Sequence, residues 1–148
     1  FKEKIKMEVK VKEVLTKEEL KDAFEVRKSV FVYEQKIPVE IELDQFEDTA
    51  KHVVGYYEGK PVVAGRMRIV DNVAKLERIC VLKNYRRYGM GRIIIRKLEE
   101  LAKKDNINQA KLHSQIQAVE FYKKLGYKQV SDVFMEDNIP HVVMMKSL

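Results

Sequence analysis

The sequence predicts a mixed α/β (α+β) fold, a central mixed sheet of six to seven strands flanked by helices, and three observations carry that prediction. First, Leu76–Val81 reads as a strand, Arg86–Gly91 as a tight turn holding two glycines, and Arg92–Lys104 as a helix; Met90, Ile94, Leu98 and Leu101 fall at i, i+4, i+8 and i+11 on one face. Second, Ala110–Ser114 is a further strand, so strand, helix and strand make a βαβ unit with parallel pairing. Third, His52–Tyr57, Pro61–Val70 and Val73–Val81 are joined by turns of two to three residues, which favour an antiparallel meander. A sheet with both patterns is mixed, and its parallel seam lies beside the glycine turn.

The remaining elements follow in order. Met7, Val9 and Val11 alternate with charged residues, the pattern of a half-buried strand. The chain opens on Phe1, and Met7 reads as a start with residues 1–6 as a leader or appended stretch. Thr16 and Glu19 form a capping box. The helix it opens carries Leu20, Ala23, Phe24, Arg27 (by its stem) and Phe31 on one face, to about Tyr33. Pro38 ends that region. Gln117–Leu125 is a second compact helix with Ala118, Phe121, Tyr122 and Leu125 together, and Gly126 caps it. Tyr127–Met135 and His141–Met145 close the chain as a hairpin across Glu136-Asp137-Asn138.

A length of 148 residues suits one domain spanning 1–148, with enough surface to bury its own core. No apolar run approaches the roughly 20 residues of a membrane span, and no signal peptide is visible, so a cytoplasmic protein is expected. One cysteine, Cys80, excludes an intrachain disulfide and suits a reducing compartment. Cys80, His52, His113 and His141 are scattered, so no metal is expected. The +6 charge, from 29 basic and 23 acidic residues, permits nucleic-acid binding. That class is disfavoured, because aromatic and basic residues do not interleave along one element.

The glycine turn is the chemical centre. Glycines at a strand-to-helix corner bare backbone N–H groups, and with the helix dipole these make an anion site. Arg86, Arg87 and Arg92 add charge beside it. The turn lacks the Lys and Ser/Thr of a nucleotide P-loop, and its glycine spacing is not the dinucleotide fingerprint. A second anomaly is the stretch Glu34–Asp48, with six acids against the single base Lys36 in an otherwise basic chain. It reads either as a solvated connector or as an acidic lip for a cationic substrate.

Ile79-Cys80-Val81 followed by Tyr85-Arg86-Arg87-Tyr88-Gly89-Met90-Gly91 resembles motif A of the GNAT superfamily of acetyl-CoA-dependent N-acetyltransferases. Gln115-x-x-Ala118-x-x-Phe121-Tyr122-x-x-Leu125-Gly126-Tyr127 resembles motif B, with Gln115 where Asn is usual and Tyr127 where Phe is frequent. Arg27-x-x-Val30-Phe31-Val32-x-Glu34-Gln35 and Ile139-Pro140-His141 are similar to the small bacterial ElaA-like branch. The resemblance implies a GNAT-like sheet splayed at the strand pair around coenzyme A. It implies that the pyrophosphate sits on the amides of Arg86, Arg87, Tyr88, Gly89, Met90, Gly91 and Arg92. The pantetheine arm would pair with Ile79, Cys80 and Val81, with Gln115 and Phe121 beside it.

The same resemblance makes Tyr122 the general acid that protonates the leaving thiolate, against a plain core tyrosine. Glu77 shares a strand face with Val81 by period two and is the candidate base. The alternative is a charge paired with Arg66, Arg68 or Arg78. Cys80 would have the opposite parity, and a covalent acyl-cysteine is the lesser route. His52, His113 and His141 are lesser base candidates. The family's substrate mouth falls where Glu34–Asp48 lies, which makes Glu40, Glu42 and Asp44 the expected acceptor-binding residues. The implied reaction moves an acetyl group to a primary amine, of a small molecule or a peptide, by direct attack on the thioester. The rival is a non-catalytic CoA-binding sensor or interaction module on the same fold. A homodimer is left open.

Overall fold

The computed structural model describes residues 8–148. The expected place of Met7 in the first strand, and the reading of residues 1–6, lie outside the described residues. Strand β1 (Lys10–Glu13) pairs antiparallel with β2 (Lys51–Tyr57), β2 with β3 (Lys60–Val70), and β3 with β4 (Val73–Val81). The turns are tight because Glu58, Gly59, Asp71 and Asn72 all take positive φ, which matches the twist of the strands they join. Helix α3 (Met90–Lys104) then crosses to β5 (Gln109–Gln115), parallel to β4. The remaining strands β6 (Lys128–Gln129), β7 (Phe134–Glu136) and β8 (Ile139–Ser147) pair antiparallel, β8 lying against β5.

Among the described residues the sheet is thus eight-stranded, with order β1-β2-β3-β4-β5-β8-β6 and β7 paired to β8. The expected six to seven strands fall one or two short. The run Tyr127–Met135 splits into β6 and β7, with Val130 N–H donating to the Val143 carbonyl and Val143 N–H to the Ser131 hydroxyl between them.

Helix α3 covers one face. Its residues Met90, Ile94, Ile95, Leu98 and Leu101 are buried against Val53, Val63, Met67, Leu76 and Leu112. Each such side chain contributes about 1.5–3 kcal/mol on burial. Glu99 is buried on the same helix, where Tyr127 Oη (2.8 Å) and Lys146 Nζ (2.9 Å) satisfy its carboxylate. Helix α1 (Lys17–Arg27) covers the other face through Ala23 and Val26, against Val54, Ala64 and Cys80. Its capping box is formed: Glu19 N–H donates to Thr16 Oγ1 and Thr16 N–H to Glu19 Oε1, both at 3.1 Å.

The helix expected to reach about Tyr33 does not stay α-helical. Lys28–Glu34 winds as a π-helix, where Gln35 N–H donates to the Val30 carbonyl five residues back at 3.0 Å. The short helix α2 (Val39–Glu42) follows Pro38. The second compact helix begins as a 3₁₀ turn at Ile116–Ala118 and continues as α4 (Val119–Lys124), and Gly126 at φ 100° ends it. Among the described residues no helix is long and apolar enough to cross a membrane.

Candidate active site

The parallel seam is short. β4 and β5 pair only at Ala74↔Ala110, Lys75↔Lys111 and Leu76↔Leu112, after which β4 runs to Val81 and β5 to Gln115 without partners in each other. The cause lies in β4. Arg78 has φ 58°, and the pairs Arg66↔Glu77 and Ala64↔Cys80 leave Gly65 opposite two residues, Arg78 and Ile79. This is a β-bulge, which bends the strand and increases its twist.

The bulge also inverts the alternation. Leu76 packs on the α3 side, and so do Ile79 and Val81, whereas Cys80 packs under α1 beside Ala64. Glu77, paired with Arg66, therefore shares the face of Cys80 rather than that of Val81, which corrects the period-two expectation. The open edge is usable backbone. Leu82 N–H donates to the Val62 carbonyl at 2.9 Å, so by antiparallel alternation the Val81 N–H points away from β3 into the gap.

The gap widens into a cleft of about 880 Å³. One end is the glycine turn. Gly89 sits at φ 77° and Arg87 at φ 72°, so the chain reverses through left-handed backbone and α3 starts at Met90 with no side-chain cap. Its first N–H groups have no partner within the helix. Gly91 has a different reason: a Cβ there would lie 3.3 Å from Phe121 Cζ, so glycine keeps α3 and α4 close. Arg86 is not a free cation. Its Nε donates to the Val81 carbonyl (3.0 Å), and its Nη1 and Nη2 grip both oxygens of Glu34 at 2.8 and 2.6 Å. That ties the turn to the π-helix, while Arg87 and Arg92 are exposed.

Ile79, Cys80, Val81, Arg86, Arg87, Gly89, Met90, Gly91, Gln115 and Phe121 all line the cleft; Tyr88 and Arg92 lie off its wall. Gln115 Nε2 donates to Gln35 Oε1 at 3.0 Å and links β5 to the end of the π-helix. Tyr122 is buried on the wall, edge-on to Phe121 at 5.1 Å and to Tyr127 at 6.0 Å. Burial raises its pKa, so the hydroxyl stays protonated at working pH. Burial likewise pushes the Cys80 thiol up, which disfavours the thiolate that an acyl-cysteine route needs.

The opposite wall corrects the acidic-lip reading in one respect: its acids are paired rather than free. Arg27 is fully buried, and its Nε and Nη2 donate to Glu42 at 2.9 and 3.1 Å while Nη1 and Nη2 donate to Glu47 at 2.8 and 2.6 Å. Arg66 grips Asp44 at 2.8 and 2.7 Å. Arg78 Nε donates to the Glu42 carbonyl at 3.1 Å. Burial raises the Asp44 pKa, but the hydrogen bond from Arg66 outweighs it and brings it to about 2. Glu42 and Asp44 line the cleft, as expected, but are held by buried arginines, and Glu40 is exposed and off the cleft wall. The stretch is neither a solvated connector nor a free lip; it docks on the sheet by ion pairs.

Glu77 belongs to this network. Arg66 Nη2 (2.9 Å), Arg68 Nε (2.8 Å) and Lys75 Nζ (3.1 Å) surround its carboxylate. Burial raises its pKa, but the Arg68 hydrogen bond and the charges of Arg66 and Lys75 outweigh that and hold it at about 2. A carboxylate so acidic is a poor proton acceptor at neutral pH. The paired-charge alternative fits this geometry, with Lys75 in the place expected for Arg78.

A group that sequence reasoning missed lies beside it. Glu136, read as a turn residue, ends β7 and lines the cleft with His113 and His141. His113 Nδ1 is 2.8 Å from Glu136 Oε1, and His141 Nε2 is 3.7 Å from Oε2. Phe134 stands edge-on to His113 at 5.2 Å and stacks on His141 at 6.1 Å. Period two in β7 and β8 places Phe134, Glu136 and His141 on one face, but nothing in the sequence pairs them with β5. His52 is buried elsewhere, against Glu47 and Phe24. Among the described residues no cluster of three or more His, Cys, Asp or Glu is disposed to hold a metal ion.

The splayed sheet thus places a glycine-capped helix start, an open strand edge and a buried tyrosine around one cleft. The family model for the acetyltransferase (GNAT) domain matches residues 8–148, and the chain belongs to the GNAT acetyltransferases. The chain is 50% identical over 130 residues to the uncharacterized N-acetyltransferase YjcF of Bacillus subtilis (strain 168), covering 87% of this chain and 93% of that one. Among solved structures, Escherichia coli ElaA is similar at TM-score 0.84 with 23% identity, covering 94% of this chain and 99% of that one. The PaiA N-acetyltransferase of Thermoplasma acidophilum, solved in complex with coenzyme A, is similar at TM-score 0.72 with 18% identity, covering 95% and 100%.

Proposed function

We propose that the protein transfers the acetyl group of acetyl-CoA to a primary amine by direct attack of the amine on the thioester. The observation that carries this reading is the cleft itself, which joins the helix N-terminus at Gly89, the open edge of β4 and Tyr122 in one continuous space. The donor set fits the co-substrate. Unpaired amides at Met90, Gly91 and Arg92 suit a pyrophosphate, with Arg87 and Arg92 supplying nearby charge. The free β4 edge from Ile79 to Val81 suits the amide groups of a pantetheine arm.

Within that frame each residue has a task. Val81 N–H offers a donor for the developing oxyanion; Leu82, whose amide is spent on Val62, does not. Tyr122 gives its proton to the departing thiolate. The Arg27–Glu42–Glu47 and Arg66–Asp44–Glu77 pairs hold the acceptor wall in place. The acceptor is an amine of a small molecule or a peptide. The test is thiol release from acetyl-CoA across a panel of polyamines, amino acids, aminoglycosides and lysine peptides. Release with an amine, matched by acetylated product, supports the reading; binding of CoA without release with any amine makes the protein a sensor and removes it.

A further inference from the structure

His113 is the first residue of β5 beyond its last pair with β4, so it stands level with Glu77 at the apex of the splay. An arm entering along Val81 and Ile79 brings its acyl end to the bulge at Arg78, beside this apex. Glu136 is ionised, because the hydrogen bond from His113 lowers its pKa against the effect of burial. A carboxylate only accepts, so His113 Nδ1 carries the hydrogen and donates it across 2.8 Å. With Nδ1 engaged by Glu136, Nε2 is the ring nitrogen left to accept a proton. His141 is fixed in the same sense, since its Nδ1 donates to the Ile139 carbonyl at 2.7 Å. It lies one strand further from β4, opposite Gln115.

We propose that His113, oriented by Glu136, is the base that deprotonates the acceptor ammonium, and that Glu136 and His141 complete the amine subsite. The inference rests on the amine-acetylation reading. The ammonium gives one proton to His113 Nε2; the nitrogen lone pair then forms the N–C bond as the carbonyl pair moves onto oxygen, and the return of that pair breaks the C–S bond. The second nitrogen proton leaves as the amide forms. The thiolate takes the Tyr122 proton, which that second proton replaces, and His113 releases its own to solvent. Glu136 is a positioning residue: it fixes the tautomer and offsets the charge of the imidazolium. The charged and titratable groups around His113 are Lys75 and Glu77 of β4, Lys111 of β5, Glu136 and Asp137 at the β7 turn, and His141 of β8.

The experiment compares wild type, His113→Gln, Glu136→Gln and His141→Gln by thiol release against pH, at saturating acetyl-CoA, with phenethylamine, spermidine and a lysine peptide. His113→Gln is expected to lower kcat by roughly 10²-fold or more with acetyl-CoA KM unchanged. Its acid limb should move up to that of the free amine, roughly pH 10. Glu136→Gln should lower kcat by about 10-fold and shift the acid limb to lower pH. A His113→Gln rate within about threefold of wild type with the limb in place overturns the assignment. Loss of the limb in His141→Gln alone overturns it too. Circular dichroism establishes that the variants fold; if His113→Gln does not, an unmoved limb in Glu136→Gln is decisive against it. Wild type inactive with every amine overturns the amine reading itself, whereas failure of this inference leaves wild-type turnover intact.

Discussion

Replacing Glu77 by Gln separates an ion-pair anchor from a catalytic base. The folded carboxylate has a pKa of about 2 against an ordinary 4.5. One unit corresponds to about 1.4 kcal/mol, so this depression contributes on the order of 3 kcal/mol, somewhat less where solvent screens Lys75. Because the folded pKa lies below the unfolded one, this stability is complete above pH 4.5 and is lost as pH falls towards 2. Glu77→Gln should lower the unfolding free energy at pH 7 by about 2–3 kcal/mol, or Tm by about 5–10 °C. It should also flatten the stability profile between pH 4.5 and 2. Urea titrations across pH measure both effects, and kcat at 25 °C should stay within about threefold of wild type. A kcat lower by about 10²-fold with unchanged stability would refute this and restore Glu77 as the base.

Other outcomes follow from the same geometry. Tyr122→Phe keeps the ring packing and deletes the donor, so kcat should fall by about 10²–10⁴-fold while calorimetric acetyl-CoA affinity is unchanged. Gly89→Glu places a side chain at φ 77° and a negative charge on the anion site; a folded variant should lose acetyl-CoA binding, read by the same calorimetry. Glu42→Ala leaves Arg27 short of a partner and should cost about 3 kcal/mol in urea melts, whereas Glu40→Ala should stay within about 0.5 kcal/mol.

Much of the fold was legible because it is written in local patterns. The α3 stripe, the capping box at Thr16 and the short meander turns each follow from neighbours in sequence, and all formed. The glycine turn and Tyr122 were legible through motif spacing, and the cleft brings them together. The misreadings have one physical source, which is pairing over distance. A single left-handed residue, Arg78, inverted the strand parity on which the reading of Glu77 depended. The sign reversal in Glu34–Asp48 was visible, but its partners Arg27 and Arg66 lie elsewhere in the chain. A clue was present: arginines at the apolar positions of a helix and a strand ask for buried acids. Glu136 meets His113 only because β7 folds back on β8, across 23 residues of sequence.

The most direct test of the central claim is mass spectrometry of an amine panel incubated with acetyl-CoA and either wild-type protein or Gly89→Glu. An amine gaining one acetyl group with wild type, together with stoichiometric free thiol, and no gain with the variant is the expected result. Unmodified amines and no thiol release with wild type, or equal acetylation by the Gly89→Glu variant, would contradict acetyl transfer at this cleft.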